Sequence, residues 1–277
     1  MLSAAQGHLK MNFKDLFEPS LGAYLTYCLN FSLRYFLVAG GVFWLLRRKW
    51  IVYRIQEAFP STRDVAYEIR WSLLNASCTG MSTILLYGLI RDGRTRMYFE
   101  IAEYGWLYLV VSGVLIVVGY DAWFYWYHRL LHRPWFFERV HAIHHRTSNP
   151  SAFAAYALHP FETFLGNSFF VLFPLVVPVH PLAFGATGFA ISIYAFVLHS
   201  GFEFFPRSFS RHFLLRWIST STHHNMHHRD SEGNFGALLM VWDKLMDTHD
   251  PAYLEVFDTV KARGDRAAAT AAVAVHS

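Results

Sequence analysis

The stretch YGWLYLVVSGVLIVVGYDAWFYWYHRLLH, Tyr104 to His132, decides how the rest of the chain is read. From Tyr104 to Tyr120 it carries no charge, so it suits the hydrocarbon of a bilayer. Neither Gly nor Pro interrupts Asp121 to His132, and the next proline is Pro134. The helix is therefore expected to run on past the membrane and to end on two histidines. His128 and His132 are four apart and share one helix face. Neutral imidazole is the commonest protein ligand for zinc, copper, iron and nickel.

Further apolar stretches lie on both sides. Leu21 to Leu46 has Arg34 as its one charge and is closed by Arg47-Arg48-Lys49. Trp71 to Ile90 follows. Phe161 to Val179 and Pro181 to Leu198 form a pair around the turn signal Pro178-Val179-His180-Pro181. With residues 104–125 these make four or five spans at 21–46, 71–90, 104–125, 161–179 and 181–198. Composition agrees: charged residues are 16%, against about 25% in soluble domains, and hydrophobic residues are 54% of the 277. The fold class expected is all-α, a multi-pass membrane helical bundle with a His-rich helical cap. One membrane-embedded domain covers residues 1–266, with His-rich regions at 128–159 and 199–250, and an Ala-rich disordered tail follows at 267–277. Residues 1–17 lack the basic start and short apolar core of a cleaved signal peptide.

The net charge of +4 suits an anionic lipid surface. No long Lys/Arg stripe interleaves with aromatics, which excludes nucleic acid as a partner. Cys28 and Cys78 lie in apolar stretches without a CxxC, so the metal chemistry on offer is imidazole rather than thiolate.

Thirteen of the sixteen histidines fall between His128 and His228, and they are grouped. After His128 and His132 come His141, His144 and His145. The third group is His224, His227 and His228, with His223 just ahead. In each HxxHH the first and last imidazoles share a face, and the middle one is three from the first. Helical turns that present imidazoles to one point are how bundles build metal sites. Eight imidazoles, nine with His199, exceed the four ligands of a zinc ion, so two ions are implied. There is no HExxH, hence no general-base Glu of a zinc protease.

The positive-inside rule orients the chain. Residues 47–70 hold six basic and three acidic side chains, and residues 91–103 hold three of each. The first segment is expected in the cytoplasm, and threading onward places every histidine cluster on that face. Two readings compete. One is an oxygenase acting on lipid. The other is a non-oxygenase metal-binding membrane protein, either a zinc carrier or a membrane zinc hydrolase. A carrier calls for acidic or His groups along a path inside the spans, and these spans have almost none.

HRLLH, HAIHH and HHNMHH, in this order and spacing, resemble the fatty acid hydroxylase and sterol desaturase superfamily. Linking segments share the likeness: Ala157-Leu158-His159-Pro160, His199-Ser200-Gly201, Asn234-Phe235-Gly236 and Trp242 to Thr248. The resemblance covers roughly residues 118–248. It implies a non-haem di-iron oxygenase that takes O2 and two electrons to hydroxylate or desaturate an unactivated C–H bond of a fatty acyl or sterol lipid. Carried over by position, the metal ligands are His128, His132, His141, His144, His145, His199, His224, His227 and His228. The cofactors implied are two iron ions. No flavin or nicotinamide fingerprint is present, so electrons are expected from a separate donor of cytochrome b5 or ferredoxin type. The membrane is a bacterial inner membrane or the endoplasmic reticulum.

Five further residues are candidates for additional ligation or for orienting a ligand. Glu203 stands four after His199, where some hydroxylases of the superfamily carry His, and the alternatives there are a ligand or a salt bridge within the cap. Asp121 lies seven before His128 on the same face. His159 precedes Pro160, either near the metals or as a helix cap. His223 adjoins the third triplet. Asp243 follows Trp242 in an apolar run and needs a buried partner, for which a His N–H is the attractive choice.

Overall fold

The computed structural model describes residues 17–49 and 51–276. Ten α-helices order the described chain: α1 (Leu21–Lys49), α2 (Thr62–Arg91), α3 (Gly105–Leu131), α4 (Pro134–Phe136), α5 (Ala142–His145), α6 (Pro160–Val176), α7 (Pro181–Leu198), α8 (Ser221–Asp230), α9 (Val241–Leu245) and α10 (Tyr253–His276). No strand occurs among the described residues, only three isolated bridges. The protein is all-α.

Four helices, α1, α2, α3 and α7, are long and apolar enough to cross a membrane. Their side chains invert the pattern of a water-soluble bundle. On α1, Leu21, Leu25, Leu29, Leu33 and Leu37 recur every fourth residue and are exposed, while Phe31, Tyr35 and Ala39 are buried on the other face. On α3, Leu107, Val110, Val114 and Val118 form a second exposed stripe. Apolar stripes of this extent in water would be far larger than monomers tolerate; hydrocarbon covers them at no cost.

α2 starts earlier than the apolar run that announces it. Ser61 and Asp64 form a reciprocal capping box, each side chain bonding the other's backbone N–H. α6 is shorter, 17 residues or about 26 Å. It nonetheless traverses the bundle, because the α6–α7 turn meets the α2–α3 loop at the far end. Arg96 N donates to Pro174 O at 2.7 Å, and Tyr98 N to Val179 O at 3.2 Å. His180 N-caps α7 there, and its Nε2 also bonds Phe99 O at 3.1 Å.

The opposite end gathers the C-termini of α1, α3 and α7 and the N-termini of α2 and α6. On it sits the cap: α4, a π-helical turn (Phe137–His141), α5, α8, α9 and the start of α10. In place of the disordered tail expected from residue 267, the helix α10 extends to His276. Its Ala-rich composition is the best helix former available.

Candidate metal centre

Nine imidazoles converge at the junction of bundle and cap, and they divide into two clusters. His128, His132, His141, His145 and His227 form one; His144, His199, His224 and His228 form the other. Within each cluster the candidate ligand nitrogens all lie within 4.8 Å of one another. The nine are the set that the sequence pattern singles out, but their grouping is not the one its order suggests. Residues 128–145 and 199–228 do not make separate half-sites. Each cluster draws on both halves of the chain.

Helix geometry explains the exchange. In a turn, residues i and i+4 share a face, while i+3 points to its side. His141 and His145 thus enter the first cluster, and His144 between them enters the second. In α8 the order is mirrored: His224 and His228 enter the second cluster and His227 the first. The π turn at Phe137–His141 adds a residue just before α5 and aims His141 at His128, Nε2 to Nε2 at 3.0 Å.

The hydrogen bonds around the rings fix their tautomers. His128 Nδ1 lies 2.7 Å from Phe235 O, His227 Nδ1 2.7 Å from Gly233 O, and His199 Nδ1 2.8 Å from Ala195 O. A carbonyl only accepts, so each Nδ1 carries the proton and each Nε2 presents a lone pair. His141 Nδ1 lies 2.9 Å from Glu162 Oε1, a close approach without the alignment of a hydrogen bond. The lone pair of His128 Nε2 is thus aimed at Nε2 of His141. Nε2 of His132, His145, His227 and His228 is buried with no hydrogen-bond partner. Buried ring nitrogens that face one another without partners, three of their rings tied to backbone carbonyls through Nδ1, fit a cation and little else.

The electrostatics agree. Burial, reinforced by neighbouring imidazoles, holds His141, His144, His145, His224, His227 and His228 well below the ordinary histidine range. Burial alone takes His199 down to about 4. These rings stay neutral at physiological pH, the form that binds metal.

The remaining candidates stand outside both clusters. Asp121 is buried, and its Oδ1 accepts from Leu238 N at 3.2 Å and Leu239 N at 2.9 Å. Asp243 accepts from Phe235 N and Gly236 N, both at 2.8 Å. Its chief partners are thus backbone amides rather than the expected histidine, since His223 Nε2 is 3.7 Å away. The two aspartates clamp the 233–239 loop, whose carbonyls orient His128 and His227. Glu203 lies outside both clusters and forms no ion pair among the described residues. It accepts from Thr222 N at 2.9 Å, Thr222 Oγ1 at 2.6 Å and Phe205 N at 3.0 Å. That places a carboxylate at the positive end of α8. His159 is the N-cap of α6, its Nδ1 accepting from Phe161 N at 3.1 Å. His223 bonds Ser219 Oγ at 3.0 Å and stacks on His249.

Glu162 escaped the sequence reading. Its signal was a lone carboxylate in the first turn of an apolar helix, a position where ionisable groups are costly and functional.

A cavity of about 440 Å³ runs from the clusters down through the bundle. His128, His141, His144, His199 and His224 form its head; Tyr120, Phe124, Phe170 and Phe184 wall its length, and Tyr87 and Met97 lie at its far end. Its volume is in the range of small-molecule sites.

Two adjoining imidazole clusters at the head of an apolar cavity in a membrane bundle define a candidate metal centre that opens onto a lipid-like space. Residues 113–248 match the family model for fatty acid hydroxylases. Mouse lathosterol oxidase is 27% identical over 239 residues, 86% of this chain and 75% of that protein. A Delta(7)-sterol 5(6)-desaturase of Gibberella zeae is 29% identical over 157 residues, 57% of this chain and 47% of that one. A cholesterol 25-hydroxylase-like protein of Caenorhabditis elegans is 29% identical over 136 residues, 49% of this chain and 44% of its own length. No solved structure matches the chain. The family match and these relatives together support the fatty acid hydroxylase and sterol desaturase superfamily, and they indicate an oxidoreductase that hydroxylates or desaturates a lipid.

Proposed function

We propose that the two histidine clusters hold two iron ions and that the enzyme uses O2 to dehydrogenate or hydroxylate a sterol-type lipid. The observation that carries this reading is the shared wall: five of the nine imidazoles line the apolar cavity. The ligands would be His128, His132, His141, His145 and His227 for one ion, and His144, His199, His224 and His228 for the other. A bound iron pair supplies the activation of O2 that an unactivated C–H bond requires. The chain supplies the rest. Aromatic walls place the lipid and exclude water. Phe235, Gly233 and Ala195 carbonyls hold the protons of His128, His227 and His199 on Nδ1. That keeps their three Nε2 lone pairs directed inward, while the Glu162 carboxyl stands beside Nδ1 of His141.

The sterol assignment rests on the names of the relatives, which cover both desaturation and hydroxylation. Electrons would come from a separate protein of cytochrome b5 or ferredoxin type. The histidine end would face the cytoplasm of an inner membrane or of the endoplasmic reticulum. Residues 47–70 at that end hold six basic side chains against three acidic, while residues 91–103 hold three of each.

The test is metal analysis of the purified chain together with lipid mass spectrometry of cells with and without it. About two irons per chain and a lipid changed by one oxygen or by two hydrogens are expected. Stoichiometric zinc, with no activity after iron reconstitution, would sink the proposal in favour of a zinc protein.

A further inference from the structure

Arg34 is the one charged residue in the apolar body of α1, Leu21 to Leu46. It lies thirteen residues from Leu21 and fifteen from Lys49, or about 20 Å and about 22 Å along the axis. Neither end of the helix is within reach of its side chain, so it does not snorkel to an interface as basic residues near span ends do. It lines the same cavity as the histidine clusters.

Its surroundings are aromatic, and the hydroxyls of Tyr27 and Tyr156 are the polar groups close enough to feel its charge. The guanidinium stands 5.6 Å from the ring of Phe31 and 5.7 Å from that of Phe189 on α7. α1 contains no acidic residue, and no ion pair to Arg34 forms among the described residues. A guanidinium is always charged and only donates, through five N–H groups. Ring faces offset a fraction of the cost of holding it at mid-bilayer depth. The cavity it faces is where an acceptor would have to arrive.

We propose that Arg34 binds the anionic end of an elongated apolar lipid in this cavity, a ligand with a carboxylate or comparable anion at one terminus and a hydrocarbon body directed at the histidines. This rests on the lipid-oxidising reading of the cavity and adds to it the polarity of the ligand and its direction. Arg34 lies outside residues 113–248, the segment shared with the family model. The anchor thus belongs to this chain's own N-terminal helix.

The proposal is tested with cholesteryl hemisuccinate and its methyl ester, which differ by one negative charge. Their affinities for the purified full-length chain in neutral detergent are read from ligand-dependent thermal shifts. The acid should bind at least about tenfold tighter than the ester, the scale of one charge-assisted, desolvated pair. Arg34→Gln should remove that preference, while Arg34→Lys keeps part of it. Equal affinities in the unaltered chain, or a preference that survives in Arg34→Gln, would overturn the proposal. The unaltered chain is compared with itself, so poor folding of the Gln variant leaves the question decidable. Metal content and oxidation of a neutral lipid are measured in parallel: if they fail, the iron reading falls and the charge preference still reads out.

Discussion

Glu162 Oε1 stands 2.9 Å from Nδ1 of His141, and both side chains are buried. The carboxyl comes from the first turn of α6, the imidazole from the π turn of the cap, so the contact joins bundle to cap. Orienting acceptors of this kind typically carry 10–100-fold of metal affinity. Glu162→Ala should weaken retention of metal by roughly that factor, and Glu162→Gln, whose amide oxygen still accepts, by less. Competition with a chromophoric chelator measures both. Equal retention in all three proteins would remove Glu162 from the ligand support.

Single ligand removals should be site-selective. His227→Ala strips the first cluster and His224→Ala the second, so each variant should retain about one metal per chain and lose turnover. Elemental analysis beside a lipid oxidation assay reads both quantities. A variant that keeps two ions and full activity takes its residue out of the ligand set.

Acidification should destabilise the protein, and the sign follows from the buried imidazoles. Folded His141, His144, His224 and His228 have affinities for protons well below those in the unfolded chain. Below the ordinary histidine value of about 6.5, the unfolded chain takes up protons that the folded one refuses. Stability is present in full above that pH and declines as pH falls through it, by about 1.4 kcal/mol per unit for each such histidine. The metal-stripped chain in detergent should show a Tm that drops steeply between pH 7.5 and 5.5. A flat Tm over that interval contradicts the buried neutral cluster.

The loop clamp predicts a stability loss without any change in the histidines themselves. Asp243→Ala leaves the amides of Phe235 and Gly236 without acceptors, at about 1–3 kcal/mol for each buried donor. Asp121→Ala does the same to Leu238 and Leu239. Both should lower Tm, and metal affinity should fall with it, because the Phe235 and Gly233 carbonyls lose their fixed positions. Unchanged affinity in a folded Asp243→Ala protein would separate the loop from the ligands.

Gly236 marks where that loop is tightest. A Cβ there would meet Leu239 O at 2.5 Å and Asp243 Oδ2 at 2.7 Å, whereas one at Gly88 meets nothing within 4 Å. Gly236→Ala should cost at least about 1–3 kcal/mol, and Gly88→Ala should be close to silent in the same melting experiment.

Much of this could be seen in the sequence because helices write their geometry into spacing. The apolar stretches announced the bundle, and the i, i+3 and i+4 histidines announced imidazoles converging. The allocation of His144 and His227 to opposite clusters required knowing how α5 and α8 face each other, which is tertiary information. The clamp was hidden for another reason. Its acceptors and donors are backbone groups of residues 233–239, which no side-chain pattern reports. Asp121 and Asp243 stood out as buried carboxylates, but their amide partners did not. The place of Glu203 was not legible, because a carboxylate at a helix N-terminus and one near a metal look alike in one dimension. The early start of α2 was written in Ser61 and Asp64, a signal masked by the stronger apolar run downstream.

The mirrored exchange of His144 and His227 turns one helical turn into a gauge. The separation between the two clusters is set by the pitch of α5 and α8, not by the reach of flexible side chains. Any rotation of α8 about its axis moves His227 in one cluster and His224 with His228 in the other at the same moment. The two sites therefore share a mechanical fate: one twist of that helix displaces imidazoles in both at once.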